Sequence, residues 1–136
     1  DFAVFRPGGK LGAQMAKVAD LMHSGDEMPL VQAGTPMPEA LLEMTSKGFG
    51  ITGVIDGGRL LGVVTDGDLR RNMAELMGKT ASEVATRDPR TVTPDTLAAA
   101  ALATMQSAKI SVLMVTEGDA PVGILHIHDL LRAGVA

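Results

Sequence analysis

The chain repeats its own sequence pattern at an offset of 61 residues. The segment GVVTDGDL, from Gly62 to Leu69, returns as GILHIHDL, from Gly123 to Leu130. The same offset carries Arg71 onto Arg132. Self-similarity at one fixed period is the signature of repeated structural units. The sequence therefore predicts a tandem of two similar units of roughly sixty residues each.

Each unit has the same predicted order of elements. A short apolar run is followed by Thr-Pro at Thr35 and at Thr93, which favours a helix whose N-cap is the threonine. Gly48 predicts the end of the first of these helices. The β-branched runs at residues 51–55 and 60–64 flank an Asp-Gly-Gly-Arg turn and predict a hairpin. A last helix completes the order strand, helix, strand, strand, helix, so the expected fold is α/β (α+β).

The pattern also divides the chain into segments. Residues 1–14 lack apolar periodicity, and we expect them to be a tail or linker that is extended or disordered. We expect the first unit at residues 15–77 and the second at residues 78–136. Each unit begins with a short helical lead-in, at 18–22 and at 81–84 respectively.

Composition excludes several classes of protein. The chain has no Cys, so it has no disulfide framework, no thiolate zinc site and no cysteine nucleophile. A net charge of −4 with 2% aromatic residues argues against nucleic-acid binding. The longest uncharged apolar stretch, residues 96–108, is too short to span a bilayer and predicts a buried helix. With no signal peptide and a start at Asp1, we expect a cytoplasmic part of a longer protein with no membrane contact.

Two tandem units that each end in Gly-x-x-Thr-x-x-Asp, or a close variant, resemble a CBS-domain pair, also called a Bateman module. This resemblance implies two β-α-β-β-α repeats that pack sheet to sheet about a pseudo-twofold axis. It also implies clefts for adenine or other nucleotides. A sheet shared by both units, or two different topologies, would contradict it.

Longer stretches are similar to the C-terminal part of the arabinose-5-phosphate isomerases. The matching stretches are Pro7 to Gly12, Asp20 to Asp26, Asp66 to Arg71 and His126 to Val135. In that family a sugar isomerase domain converts ribulose 5-phosphate to arabinose 5-phosphate for Kdo, and thus for lipopolysaccharide or capsule. The resemblance implies a regulatory domain of carbohydrate metabolism.

One position departs from that family. Arg6 stands where the family has a His that is a proposed catalytic acid/base, and a guanidinium cannot shuttle a proton. Beyond Arg6, the chain has no Ser-His-Asp arrangement, phosphate loop or His-Glu-x-x-His motif. We therefore expect no catalytic residue and no cofactor in this chain, whatever the activity of the longer protein.

In the first unit the candidate ligand residues are Gly62, Thr65 and Asp68. Gly62 allows a neighbouring backbone or a ligand to approach closely. The Thr65 hydroxyl can donate to a phosphate beside the amides of the following helix. Asp68 can accept hydrogen bonds from the 2′- and 3′-hydroxyls of a ribose. The same spacing is also typical of helix capping alone.

In the second unit the candidates are His126, Asp129 and Lys109. His126 replaces the Thr and can donate to a phosphate or carboxylate with a charge that changes near neutral pH. Asp129 keeps the ribose-accepting position, and Lys109 is a further donor. His126 and His128 could face a metal together, but two ligands without a third predict no metal site.

Three functions follow as hypotheses. The chain is a regulatory module that senses a nucleotide or sugar nucleotide, with CMP-Kdo as one candidate and AMP or ATP as the other. The second hypothesis is a structural oligomerisation module. The third is that the chain donates residues to the active site of a sugar isomerase domain in the longer protein. We expect a homodimer through helices of both repeats, and a tetramer in the full-length protein.

Overall fold

The structure, a computed structural model, describes residue 12 and residues 15–135. The predicted tail at 1–14, with Arg6, thus lies outside the described residues except for Gly12. The chain forms two compact units. What we call the first unit comprises residues 25–89 and 118–121, and the second unit comprises residues 15–24, 90–117 and 122–135 among those described. Each unit contains its own sheet and its own apolar core.

The elements follow one another in the predicted order, with one two-residue strand, Thr86–Arg87, and two 3₁₀ helices added. In chain order they are α1 (Val18–Leu21), a 3₁₀ helix (Gly25–Glu27), β1 (Leu30–Gln32), α2 (Met37–Lys47), β2 (Ile51–Asp56), β3 (Arg59–Thr65), α3 (Asp66–Arg71), a 3₁₀ helix (Met73–Gly78), α4 (Ala81–Val84), β4 (Thr86–Arg87), β5 (Thr91–Val92), α5 (Ala98–Ala108), β6 (Val112–Glu117), β7 (Ala120–His126) and α6 (Ile127–Arg132). The mixed α/β fold is confirmed.

The sheet of the first unit has the strand order β1-β2-β3-β4. β1 runs parallel to β2, while β2 and β3 form the predicted antiparallel hairpin, in which Asp56 pairs with Arg59. Gly57 and Gly58 make the turn with φ of 60° and 80°, a backbone region that glycine enters without steric cost. β4 pairs antiparallel with β3 and ends the sheet.

The sheet of the second unit has the order β5-β6-β7, with β5 parallel to β6. The segment after α1 also joins this unit, because His23 forms an antiparallel bridge with Ile124 of β7. Both backbone hydrogen bonds of that bridge are 2.9 Å long. A lead-in segment thus extends the sheet of the unit that holds the second hairpin.

The prediction that Thr35 caps α2 was wrong. The N-cap residue is Pro36, and no side chain caps this helix. The backbone N–H of Met37 instead donates to the carbonyl of Lys79 at 2.9 Å, and the carbonyl of Thr35 accepts from Ala81 at 2.8 Å. A backbone carbonyl from a distant segment therefore accepts from the first free N–H of the helix, so the helix start needs no threonine hydroxyl.

The same correction applies to Thr93 and α5. This helix begins later than predicted, with Leu97 as its N-cap and no side-chain cap. The N–H of Ala98 donates to the carbonyl of Ala16 at 2.8 Å. Thr93 instead forms hydrogen bonds within its own turn, to Thr96.

The two cores consist of aliphatic side chains and methionine, as the near absence of aromatic residues predicts. Met37 and Met105 are completely buried, one in each core, where a flexible thioether fills irregular space. Val64 and Leu125, which directly precede the candidate residues Thr65 and His126, are buried in these cores. Within the described residues, no helix has the length and apolar character needed to cross a membrane.

Candidate ligand-binding sites

Asp68 is the centre of a hydrogen-bonded cluster at the junction of β3 and α3. Asp68 is only 3% exposed, although its side chain is a carboxylate, a group that is normally hydrated. The backbone N–H and the hydroxyl of Thr65 both donate to Oδ2, at 2.9 and 3.1 Å. The Arg71 guanidinium and the Thr86 hydroxyl both donate to Oδ1, each at 2.6 Å. The backbone N–H of Asp68 reaches back to Thr65 Oγ1 at 3.4 Å, which completes a capping box.

This cluster keeps Asp68 ionised. Burial alone would raise the pKa of Asp68, because a carboxylate loses its hydration. The hydrogen bonds from Thr86, Thr65 and Arg71 outweigh burial and hold the pKa below its ordinary value. The first unit therefore presents a fixed, negatively charged acceptor at the end of β3.

Gly62 explains how Thr86 reaches that carboxylate. Gly62 pairs with Arg87 of β4, and a Cβ at position 62 would collide with the backbone carbonyl of Thr86. The absence of a side chain thus lets β4 lie close enough for the Thr86 hydroxyl to contact Asp68. The expected close approach at Gly62 is made by a neighbouring strand.

Asp129 forms the corresponding cluster in the second unit, where it is 7% exposed. The backbone N–H of His126 donates to Oδ2 at 2.8 Å. Arg132 donates to Oδ1 at 2.7 Å, and His23 Nε2 lies 2.9 Å from the same oxygen. A capping box again joins positions 126 and 129. The helix-capping interpretation is thus confirmed for Thr65 and Asp68, and the second unit repeats the same geometry.

The two clusters use equivalent positions with different chemistry. The repeat offset relates Thr65 to His126, and the strand pairing relates Thr86 to His23 because each lies beside the matching residue of β3 or β7. The hydroxyls of Thr65 and Thr86 both contact the first carboxylate. In the second unit the His23 ring contacts the carboxylate, while the His126 ring accepts a hydrogen bond from His128. Sequence reasoning missed His23 and Thr86 as site residues. The lead-in helices, Val18–Leu21 and Ala81–Val84, correspond at an offset of 63 rather than 61. A separate alignment of these segments would have paired His23 with Thr86.

The His126 ring has a defined protonation state. Its Nδ1 accepts the backbone N–H of His128 at 3.1 Å, which requires that Nδ1 carry no proton and leaves the proton on Nε2. Burial lowers the pKa of His126, and its neighbours His128, Arg132 and His23 lower it further, while Asp129 acts in the opposite direction. The ring is therefore a neutral donor whose Nε2 makes no hydrogen bond within the described residues.

Lys109 stands apart from the other candidates. It is exposed and forms the C-cap of α5 in the left-handed conformation, with φ of 57°. The structure gives its side chain no hydrogen bond to His126 or Asp129 within the described chain. Its segment does approach α6, since the carbonyl of Ser111 accepts from Ile127 at 2.8 Å.

Two further features bear on what the units can bind. The His126 and His128 rings lie 4.6 Å apart, but no group of three metal-ligating side chains occurs among the described residues. The first unit also has a cleft of about 370 Å³ that sequence reasoning did not predict. Its lining residues are Asp56, Arg59, Leu60, Leu61, Asp88 and Asp119. Arg59 and Asp119 form an exposed ion pair at 3.0 Å.

The tandem units and their duplicated Thr/His-x-x-Asp clusters are those of a CBS-domain pair. The family model described as "CBS domain" matches residues 18–75 and 81–136, and the chain belongs to this family. Among solved structures, CBSX2 in complex with AMP covers 88% of the chain with a TM-score of 0.75 and 26% identity; 96% of CBSX2 is covered. A CBS domain-containing protein from Bacillus anthracis covers 90% with a TM-score of 0.78 and 22% identity, which supports the fold; 95% of it is covered.

Curated relatives are more similar in sequence. The arabinose 5-phosphate isomerase KdsD of Pseudomonas aeruginosa is 48% identical over 99% of the chain, and KdsD of Escherichia coli K12 is 44% identical over the same share. The chain spans 43% of the length of each relative. It is thus similar to one part of these enzymes.

Proposed function

We propose that this chain is the regulatory CBS pair of a D-arabinose 5-phosphate isomerase and that it binds a nucleotide or sugar nucleotide. The observation that carries the proposal is the pair of buried, oriented carboxylates, Asp68 and Asp129, one in each unit. Identity of 48% to KdsD supports the assignment to this enzyme class. The AMP bound to CBSX2 supports a nucleotide as the kind of ligand.

A ribose could be accepted with little rearrangement. Each carboxylate already has an Arg partner whose side chain is largely exposed, 67% for Arg71 and 70% for Arg132. The carboxylates themselves are buried, with side chains 4% and 6% exposed, so a ribose hydroxyl would take over the hydrogen bond to Oδ1 as the exposed guanidinium moves into solvent. The capping hydrogen bonds meanwhile keep the carboxylate in place, which reduces the entropy lost on binding.

The candidate residues match the parts of a sugar nucleotide. Asp68 and Asp129 would accept from ribose, while His126 and Lys109 would donate to phosphate or carboxylate oxygens. Thr65 would donate there by turning its one hydroxyl hydrogen away from Asp68 Oδ2. CMP-Kdo, the end product of the pathway that arabinose 5-phosphate supplies, carries all three groups and is our first candidate for a feedback signal. AMP or ATP is the second, supported by the AMP of CBSX2.

We assign the isomerase reaction itself to residues outside those that the structure describes. The described residues hold none of the catalytic arrangements that the sequence was searched for. The regulator would act in the cytoplasm, where sugar phosphates are interconverted for Kdo and lipopolysaccharide. We also propose that the chain forms a homodimer. Exposed apolar side chains on α2 and on the 3₁₀ helix after α3, namely Leu42, Met73 and Met77, support this.

The proposal is tested by titrating the chain with CMP-Kdo, CMP and AMP in a calorimeter. We expect saturable binding of at least one of them. Complete absence of binding would overturn the ligand-sensing function and favour the alternative, a structural oligomerisation module in which both carboxylates serve as helix caps only.

A further inference from the structure

All three histidines of the chain belong to the second unit, around one carboxylate. His23 contacts Asp129 directly, His126 follows β7 and donates its backbone N–H to the same side chain, and the His128 ring lies beside that of His126. The equivalent places in the first unit hold Thr86, Thr65 and Gly67, none of which titrates near neutral pH. The two clusters therefore differ in how they respond to protons.

The charges around His126 explain how it would respond to a ligand. On α6 the ring faces His128, Asp129 and Arg132, and from the segment after α1 it faces His23. Asp129 is the one anionic group of this set, and it is already paired with Arg132 and His23. Burial and the neighbouring His128, Arg132 and His23 disfavour protonation of the free ring, and its pKa is lowered as a result.

An anion bound beside the ring would reverse this balance. A phosphate or carboxylate within hydrogen-bonding distance of Nε2 favours the imidazolium and offsets the repulsion from Arg132. Protonation adds a hydrogen at Nδ1, which then gives up the hydrogen bond from the His128 N–H. The proton comes from solvent, and no other bond is formed or broken.

We propose that the second unit binds its anionic ligand together with a proton that His126 takes up, while the first unit, built with Thr65, binds without one. This inference rests on the proposed function. It assigns the two sites different ligand chemistry, and it makes ligand binding by the second unit stronger in mildly acidic conditions.

The experiment is calorimetry at pH 6.5 with CMP-Kdo and with AMP, in MES and in bis-Tris, two buffers with different ionisation enthalpies. Proton uptake makes the measured heat depend on the buffer. For the wild-type chain we expect uptake of up to about one proton per ligand in the second unit, and an affinity that falls as pH rises from 6 to 8 by at most about tenfold per pH unit. The matched variant is His126→Thr, which installs the residue of the first unit and keeps a side chain able to cap a helix.

For the variant we expect a heat of binding that depends clearly less on the buffer. Protons taken up or released by the ligand itself contribute equally to both proteins, so they do not affect this difference. Binding with the same buffer dependence in the wild type and His126→Thr would overturn this inference and leave the proposed function standing. Absence of binding by the wild type would overturn both. A thermal melt of the variant checks that a lost signal does not come from unfolding.

Discussion

Lys109 and Gly48 show how a single residue departs from its repeat equivalent. They lie 61 residues apart and both adopt the left-handed conformation that ends a helix, with φ of 57° and 78°. Glycine enters this region freely, whereas a residue with a Cβ is strained there. The second unit therefore keeps a lysine at a position where glycine would be more stable, as expected if the ammonium group contacts a ligand.

Lys109→Gly is expected to stabilise the chain by about 0.5–1 kcal/mol, since the relief of strain exceeds the added flexibility of the unfolded state. Urea unfolding monitored by circular dichroism measures this. Gly48→Ala is the matched control and should destabilise by a similar amount, because a Cβ there meets no atom within 4 Å and the cost is conformational only. A Lys109→Gly chain that is less stable than the wild type would show that the lysine has a structural role.

At the scale of elements, the sequence predicted what local chemistry determines. The hairpin at Asp56–Arg59 follows from its glycines, and the end of α2 follows from Gly48. The start of α2 and the two-residue strand β4 were not predictable in this way. The N–H of Met37 donates to the backbone carbonyl of Lys79. β4 can pair with β3 because Gly62 has no side chain that would collide with the backbone of Thr86. Both depend on contacts between segments distant in sequence.

Gly62→Ala tests the pairing of β3 with β4. The added methyl group would collide with the carbonyl of Thr86, so we expect destabilisation of about 1–3 kcal/mol from overpacking. Gly78→Ala is the control, because a Cβ at Gly78 meets nothing within 4 Å and the change should stay within about 0.5 kcal/mol. Chemical denaturation of the two variants side by side measures the difference, and equal stabilities would contradict the close approach.

At the scale of the whole molecule, the duplicated carboxylates were predicted but their surroundings were not. The spacing identified Asp68 and Asp129 because the repeat is visible in sequence. Thr86 and His23, which complete the two clusters, lie on short segments whose partners are set by the fold. The sequence therefore predicted the acceptors, while the structure was needed to identify the donors around them.

The proposed homodimer is a prediction at this scale. Light scattering at micromolar concentration should give the mass of two chains. Leu42→Glu should shift the mass toward that of one chain, since it places a charge on the exposed apolar surface of α2. Ser24→Glu, at an exposed position outside the helices, adds the same charge without touching the apolar surface of α2 and should leave the dimer intact. A wild-type chain that is monomeric throughout would contradict the proposal.

The central claim is that Asp68 and Asp129 bind ligand as well as cap helices, and calorimetry with substituted chains tests it most directly. The variants are Asp68→Ala and Asp129→Ala, with Asp→Asn at the same positions if alanine prevents folding. The control is Glu83→Ala, which removes an exposed capping box of the same geometry, at Thr80, that has no proposed ligand.

We predict that each aspartate substitution weakens nucleotide binding in its own unit by roughly tenfold or more, since a lost charged hydrogen bond costs about 1.5–3 kcal/mol. Glu83→Ala should bind as the wild type does. If the wild type binds a nucleotide and neither aspartate substitution weakens it, both carboxylates are helix caps only and the account of the site is wrong.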